Sequence, residues 1–276
     1  MRSLTSRDIV LKPRRKDSHK GDNGTVLVVG GSEDYIGAPA LVGMAAMAVL
    51  RSGADLVTVA APEKVAWTIN SIAPDLITKK IKCNNFTPKN IPEILALAEK
   101  ADVVEIGNGI SFTPGVAEFI WKVATRVHRP LVLDAAALRV VRLQDVSGAV
   151  FLPHAKEFEA LLENSNIAAG DLQKHLGSNV LVKKGHPKTE IISMDKIAVN
   201  STGNAGMTHG GTGDVLAGIV AGLMAQGNDA FRAACAAAFV NGKAADILYK
   251  KKGFGYLASD LVDMIPFVLK RFQRQT

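Results

Sequence analysis

The chain has 276 residues, of which 47% are hydrophobic and 21% are charged, and its net charge is +7 at pH 7. This composition excludes a disordered or fibrous chain and supplies enough apolar side chains for a large core. The basic clusters at residues 12–16 and 250–252 are not interleaved with aromatic residues, so we expect no nucleic-acid binding. A positive balance also suits phosphate-bearing small molecules.

Cysteine usage and hydropathy point to a cytoplasmic protein without membrane association. Cys83 and Cys235 are far apart and have no metal-ligand spacing, which predicts a reducing compartment and no closed metal site. No apolar segment of a signal peptide follows Arg2 and Arg7. The longest apolar stretches fall short of the roughly 20 residues that span a bilayer. No linker divides the chain, so we expect a single domain over residues 1–276.

The first predicted elements form a β-α-β unit. "TVLVVGG" (25–31) is a short β-branched run stopped by glycines and predicts a buried strand. The alanine-rich stretch 38–53 predicts a buried helix that ends at a glycine. "DLVTVAAP" (55–62) predicts the second strand. We expect the crossover between the two strands to be right-handed.

The same alternation continues along the chain. Further strands are predicted at 101–109, 130–135, 148–154, 179–185, 189–194 and 196–201, the last two as an antiparallel ribbon. Further helices are predicted at 114–127, from 154 through 162, and at 215–225, 230–249 and 259–271. This order predicts an α/β fold with a mostly parallel central sheet and helices on both faces. Ligands of such sheets bind beyond the carboxyl ends of the strands, where glycine turns occur here at 30–31, 107–109 and 185.

The segment "GNAGMTHGGTGDVLAGIVAGLMAQG" (203–227) combines a glycine-dense loop with the start of a helix. Glycines expose the backbone, and the free N–H groups and dipole of a helix start favour an anion. Asp214 could be an ordinary first-turn acid. The surrounding glycines instead favour a base that deprotonates a substrate hydroxyl beside an incoming phosphorus, and the dipole favours its ionised form. The lysine of a P-loop is absent from this segment.

Three other segments carry weaker signals. Lys20 is either a solvated loop residue or a phosphate counter-charge. His154, in "LPHAKEF" (152–158), follows a predicted strand and is either a surface residue or a ligand contact. "KKGHPK" (183–188) suits a nucleotide phosphate or ribose, or is an exposed hairpin. The stretch "GGSEDYIG" (30–37) does not match the dinucleotide-binding fingerprint.

Taken in order, several of these stretches resemble the ADP/ATP-dependent NAD(P)H-hydrate dehydratase family of the ribokinase-like superfamily. They are "HKGDNGTVLVVGGSEDYIGAPAL" (19–41), "VLDAAAL" (132–138), "LPHAKEF", "LVKKG" (181–185) and the segment 203–227. The resemblance implies a single ribokinase-like domain that repairs the S epimer of hydrated NADH or NADPH (NADHX or NADPHX). The added hydroxyl would be phosphorylated by ADP, with ATP as the alternative donor and Mg²⁺ as the accompanying ion. Loss of phosphate would then restore the nicotinamide, leaving AMP when ADP is the donor.

The resemblance also assigns roles to individual residues. Asp214 would face the hydrate hydroxyl as the catalytic residue. The expected nucleotide contacts are Lys184, Gly185, His186, Pro187, Lys188, Gly211, Thr212 and Gly213. The expected substrate contacts, besides Asp214, are Ala38, Gly109, His154 and Asn204. No protein ligands for a metal are assigned.

Family members are often fused to an epimerase domain and often form tetramers. No epimerase domain precedes residue 19 here, so we expect any epimerase to be a separate chain and the protein to be a homo-oligomer.

The chain departs from the family pattern at several positions. It has "GNGIS" (107–111) for GPGLG, "DAAAL" (134–138) for DADAL and "PHAKE" (153–157) for PHPGE. Its loop 184–188 is one residue longer than usual, and Thr208 and His209 replace Ala-Thr. These changes leave the nucleotide preference open. They also leave two alternative functions, a ribokinase-like kinase of a small molecule such as a vitamin precursor, and a catalytically silent nucleotide-binding protein.

Overall fold

A ten-stranded sheet runs through the middle of the protein in the computed structural model, which describes residues 2–35 and 37–276. The strands are β1 (Arg2–Ser3), β2 (Thr25–Val29), β3 (Leu56–Pro62), β4 (Ile77–Ile81), β5 (Val103–Ile106), β6 (Leu131–Leu133), β7 (Val150–Phe151), β8 (Val180–Lys183), β9 (Thr189–Ile192) and β10 (Ile197–Asn200).

The strands lie side by side in the order β1-β10-β9-β8-β7-β6-β5-β2-β3-β4. Neighbouring strands pair in parallel except where β9 pairs with β8 and β10. The predicted mostly parallel sheet and the predicted antiparallel ribbon are therefore both confirmed.

Helices cover both faces of the sheet. They are α1 (Ala38–Arg51), α2 (Glu63–Ile72), α3 (Ile91–Ala98), α4 (Pro114–Ala124), α5 (Ala155–Ser165), α6 (Leu172–His175), α7 (Thr212–Ala225), α8 (Ala230–Lys252) and α9 (Ala258–Leu269). Successive strand residues point to opposite faces. Val28 therefore joins the core under α1, α7, α8 and α9, whereas Val29 joins the core under α3, α4 and α5. The predicted α/β/α architecture is confirmed.

The sequence patterns missed some elements and misplaced the start of one. Strand β4 ("ITKKI") exposes alternate residues at the edge of the sheet, so its lysines hide its strand character. Helix α7 begins at Thr212, three residues before the predicted position. Threonine and glycine are poor helix formers, which is why the sequence placed the start at Val215. Within the described chain, no helix is both long and apolar enough to cross a membrane.

The backbone of α7 packs directly against α1 because α7 has glycines at the contact. A β-carbon at Gly218 would overlap the carbonyl oxygen of Ala45, and one at Gly222 would overlap Ser52 Oγ. The side chains around this contact are fully buried. Any residue larger than glycine would push the two helices apart.

We expect Gly218→Ala to lower the free energy of unfolding by at least about 2 kcal/mol, because the added methyl has no room in a packed core. Gly43→Ala is the matched control, since Gly43 lies on α1 with no atom within 4 Å of its added β-carbon. That variant should be neutral or gain up to about 1 kcal/mol from helix propensity. Denaturant titration of both variants measures the difference, and equal effects would contradict this packing.

Candidate active site

The carboxyl ends of the central strands carry the residues that form the site. Asn108 follows β5, Asp134 follows β6, His154 follows β7 and Lys184 follows β8. Because these strands are parallel, their ends lie at one edge of the sheet. Lys20 precedes β2 and is exposed, so it lies at the opposite edge of the sheet from these residues. This position favours the interpretation of Lys20 as a solvated loop residue over that of a phosphate counter-charge.

Helix α7 starts at this edge with free backbone N–H groups. Its N-cap, Gly211, has φ +93°, and a β-carbon there would lie 2.6 Å from Met44 Cε. Only glycine combines this backbone angle with so little space. Among the described residues, no backbone oxygen accepts the N–H of Gly213 or Asp214. Amides placed in this way, together with the helix dipole, favour a bound anion, and the anion site at this helix start stays a prediction.

Lys184 brings a buried positive charge to the same place. Its Nζ lies 2.7 Å from Asp134 Oδ1 and 4.0 Å from Glu157 Oε2. Burial alone would lower the pKa of Lys184, but the two carboxylates outweigh it and raise the pKa, so the ammonium stays charged. A β-carbon on Gly213 would lie 3.4 Å from Nζ. The bare backbone of Gly213 therefore faces the ammonium and leaves space for an anion beside it.

We expect Lys184→Gln to destabilise the fold by on the order of 3 kcal/mol, because it leaves Asp134 buried without its cation. Lys174→Gln is the control, since Lys174 pairs with Asp171 at 2.8 Å on the surface. Exposed pairs contribute little, so this variant should keep the parent melting temperature. Thermal unfolding of both variants tests the difference, and an unchanged Lys184→Gln midpoint would contradict a buried pair.

Asp214 is the third residue of α7, and its carboxylate points across the site. Its Oδ1 accepts a hydrogen bond of 2.8 Å from Asn108 Nδ2. Burial raises the pKa of Asp214 to about 6, Asn108 opposes that rise, Asp134 adds to it and Lys184 opposes it. The carboxylate is therefore mostly ionised at pH 7, as predicted, although burial works against the helix dipole. A carboxylate with a pKa near the working pH suits a general base.

A cavity of about 480 Å³ adjoins the start of α7. Predicted site residues that line it are His154, Lys184, Gly185, His186, Pro187, Asn204, Thr212 and Gly213. Its lining does not include Lys188, Gly211 or Asp214.

A second group lies next to that cavity, on the β5 side of Asp214. A β-carbon at Gly109 would lie 3.1 Å from Ala38 Cβ, so these two predicted substrate contacts adjoin each other. Asn108 connects them to Asp214. His154 lines the cavity with Asn204 and residues 184–187, whereas Ala38 and Gly109, also predicted as substrate contacts, do not line it.

Asn204 contributes to the shape of the loop before α7. Its Oδ1 accepts hydrogen bonds from Tyr256 Oη at 2.8 Å and from the backbone N–H of Gly206 at 3.0 Å. Its Nδ2 donates to Asp246. The predicted substrate contact is therefore a residue whose side chain is already bonded to protein at both polar atoms.

Three polar residues of the site were not predicted as site residues. Asp134 was identifiable as an acid directly after the strand "LVL". Asn108 lies between two glycines of a predicted turn, and Glu105 is a charged residue inside an apolar strand. Each signal is weak in the sequence, because nothing there shows that the three side chains face α7.

No protein-only metal site exists in the part of the chain that the structure describes. It contains no group of three or more His, Cys, Asp or Glu side chains arranged to hold a metal ion.

Comparison with known proteins gives one consistent family. A family model described as NAD(P)H-hydrate dehydratase matches residues 26–267. The ADP-dependent (S)-NAD(P)H-hydrate dehydratase of Cenarchaeum symbiosum is 35% identical, over 95% of this chain and 93% of that protein.

Longer relatives and a solved structure agree with that match. The bifunctional NAD(P)H-hydrate repair enzyme of Methanothermobacter thermautotrophicus is 41% identical over 93% of this chain. The chain spans about half the length of this relative, 51% of it. The ADP/ATP-dependent NAD(P)H-hydrate dehydratase of Bacillus subtilis, co-crystallized with ATP and Mg²⁺, superposes with a TM-score of 0.77 at 26% identity, and the match covers 96% of both chains.

Proposed function

The chain belongs to the NAD(P)H-hydrate dehydratase family, and on that premise we propose that it dehydrates the S epimer of NADHX or NADPHX, with ADP as the phosphoryl donor. One observation supports this most directly. A partly buried carboxylate, Asp214, lies at a helix start whose amides at 213 and 214 bond to no backbone oxygen among the described residues, and it interacts with the charge of Lys184. A base next to an anion cradle is what phosphorylation of a hydroxyl requires.

The proposed reaction uses the two parts of the site together. The nucleotide occupies the cavity, and the substrate hydroxyl reaches Asp214 from the side of Ala38 and Gly109. Asp214 accepts the hydroxyl proton as the oxygen bonds to the terminal phosphorus of ADP and AMP leaves. The α7 amides and Lys184 stabilise the negative charge of the transferring group. The C–O bond to phosphate then breaks and the neighbouring carbon loses a proton, which forms the double bond that restores NADH or NADPH.

Mg²⁺ bound to the phosphates would neutralise part of their charge. Glu157, 4.0 Å from Lys184, is the carboxylate that could approach such an ion from the protein side. We propose that the protein works in the cytoplasm. A homotetramer, a separate epimerase and the choice between ADP and ATP stay predictions of the family resemblance.

We expect Asp214→Asn to lower kcat for NADHX by at least about 10²-fold, because the amide keeps the shape but cannot accept the proton. Nucleotide affinity should change little, since backbone amides form much of the cradle. Regained absorbance of the reduced nicotinamide measures turnover. Asp229→Asn is the control, because Asp229 accepts the Arg232 N–H as a true cap of α8. Near-native turnover by Asp214→Asn would refute the mechanism.

The same assay separates the alternatives. Stoichiometric release of free phosphate with NADH indicates the dehydratase, whereas a stable phosphorylated product of another substrate indicates a kinase. A silent nucleotide-binding protein would bind ADP with no turnover of either hydrate.

Activity should also depend on the ionisation of Asp214. With the pKa raised to about 6, the base is present above that pH and is lost as pH falls through it. We expect log kcat/KM to be level near pH 7.5 and to fall with a slope approaching one below about pH 6. A level profile down to pH 5 would show that Asp214 does not act as a base.

A further inference from the structure

Asn108 is a buried asparagine that the turn after β5 holds in one position. Its side chain is 0% exposed. Its backbone carbonyl accepts the Gly31 N–H at 2.9 Å, and the preceding Gly107 has φ +128°. A β-carbon at Gly107 would overlap the carbonyl oxygen of Asp134. Because residues that follow the two adjacent strands confine this turn, the backbone of Asn108 is held in place. From there its Nδ2 reaches Asp214, while its Oδ1 has no hydrogen-bond partner among the described residues.

The amide makes a charge-assisted hydrogen bond to Asp214. Nδ2 lies 2.8 Å from Oδ1. An ionised carboxylate can only accept, so the amide nitrogen must be the atom that faces it. This bond occupies one carboxylate oxygen and leaves Oδ2 for the substrate.

We propose that Asn108 is a positioning residue for Asp214, which holds Oδ1 and keeps the carboxylate ionised in a buried site. The inference deepens the proposed function and rests on it for the role of Asp214 as a base. The family pattern usually has proline at position 108, and a proline side chain has no hydrogen-bond donor.

The charges that face Asp214 explain why it needs this donor. Burial and the carboxylate of Asp134, at the end of β6, favour the protonated form. Lys184, at the end of β8, opposes them but is already paired with Asp134 at 2.7 Å. The Asn108 amide is thus the side-chain donor hydrogen-bonded to Asp214. The backbone N–H of Asp214 itself also favours the ionised carboxylate.

Glu105, on β5, is the remaining acid near Asp214. It is 0% exposed, and neither of its carboxyl oxygens has a hydrogen-bond partner among the described residues. Burial first, then the charges of Asp134 and Asp214, raise its pKa well above the ordinary range. Burial therefore favours the protonated form of Glu105, which adds no negative charge to the site.

The experiment is a pH titration of Asp214 in Asn108→Leu, by NMR of protein labelled with ¹³C at aspartate carboxyls. The Asp214 signal is assigned from its loss in Asp214→Asn. We expect the titration midpoint to rise by about one unit, which is roughly a tenfold change in proton affinity. The acidic limb of kcat/KM should move by the same amount, so that activity at pH 6 falls roughly fivefold more than at pH 8.5.

Asn108→Ala gives a second test, since it removes the donor without adding bulk to the buried turn. Loss of the hydrogen bond should raise the Asp214 midpoint as Asn108→Leu does. This variant decides the outcome if Asn108→Leu does not fold. An unchanged midpoint in either folded variant would overturn the proposal, even if activity were lost.

Two further variants serve as controls. Asn179→Leu removes a buried asparagine at the amino end of β8, where Nδ2 donates to Leu143 O and Val146 O. It should lower stability and leave the Asp214 midpoint unchanged. Glu105→Gln should also leave the midpoint unchanged, and a downward shift would show an ionised Glu105 and overturn its neutral assignment. Because the NMR titration needs no substrate, it tests Asn108 even if the chain turns over no hydrate.

Discussion

The position of helix α7 is the constraint on which the site depends. Glycine at 211, 218 and 222 lets this helix approach Met44, Ala45 and Ser52 at distances that no side chain permits. The approach brings the first turn of α7 over the carboxyl ends of the central strands. Burial of Asp214 and the free amides beside it follow from that placement. Glycines that contribute no packing of their own therefore determine where the charged groups meet.

Once the first turn is in place, a few charged groups share a small volume with little water. Lys184 keeps its proton because Asp134 and Glu157 offset the cost of its burial. The carboxyl of Glu105 has no hydrogen-bond partner among the described residues, and burial raises its pKa, which favours the protonated form. Asp214 lies between these limits, with a pKa raised to about 6. The surroundings thus give these carboxyl groups different pKa values. Among the acids discussed, Asp214 has the pKa near neutrality that general-base catalysis needs.

Backbone recognition explains why departures from the family pattern leave the site intact. The proposed anion cradle consists of backbone amides in α7 and not of the side chains at positions 208 and 209. Ala136 is buried in a short 3₁₀ helix after Asp134, and the acid at that strand end that pairs with Lys184 is Asp134. The change at Asn108 is of another kind, because its side chain touches Asp214. A residue that differs from the family pattern affects the site when its side chain lies there, and has less effect when only its backbone does.

The sequence by itself determined the architecture and the principal acid. Short, continuous β-branched apolar runs that end in glycine predict buried strands, and a glycine-dense helix start draws attention to Asp214, because both signals are local in the chain. Only the tertiary structure decided which partners reach Asp214 and Lys184. Asn108 lies 106 positions from Asp214, and Asp134 lies 50 from Lys184. Such pairs meet because parallel strands bring their ends to one edge, and their pKa values depend on burial, which no local pattern records.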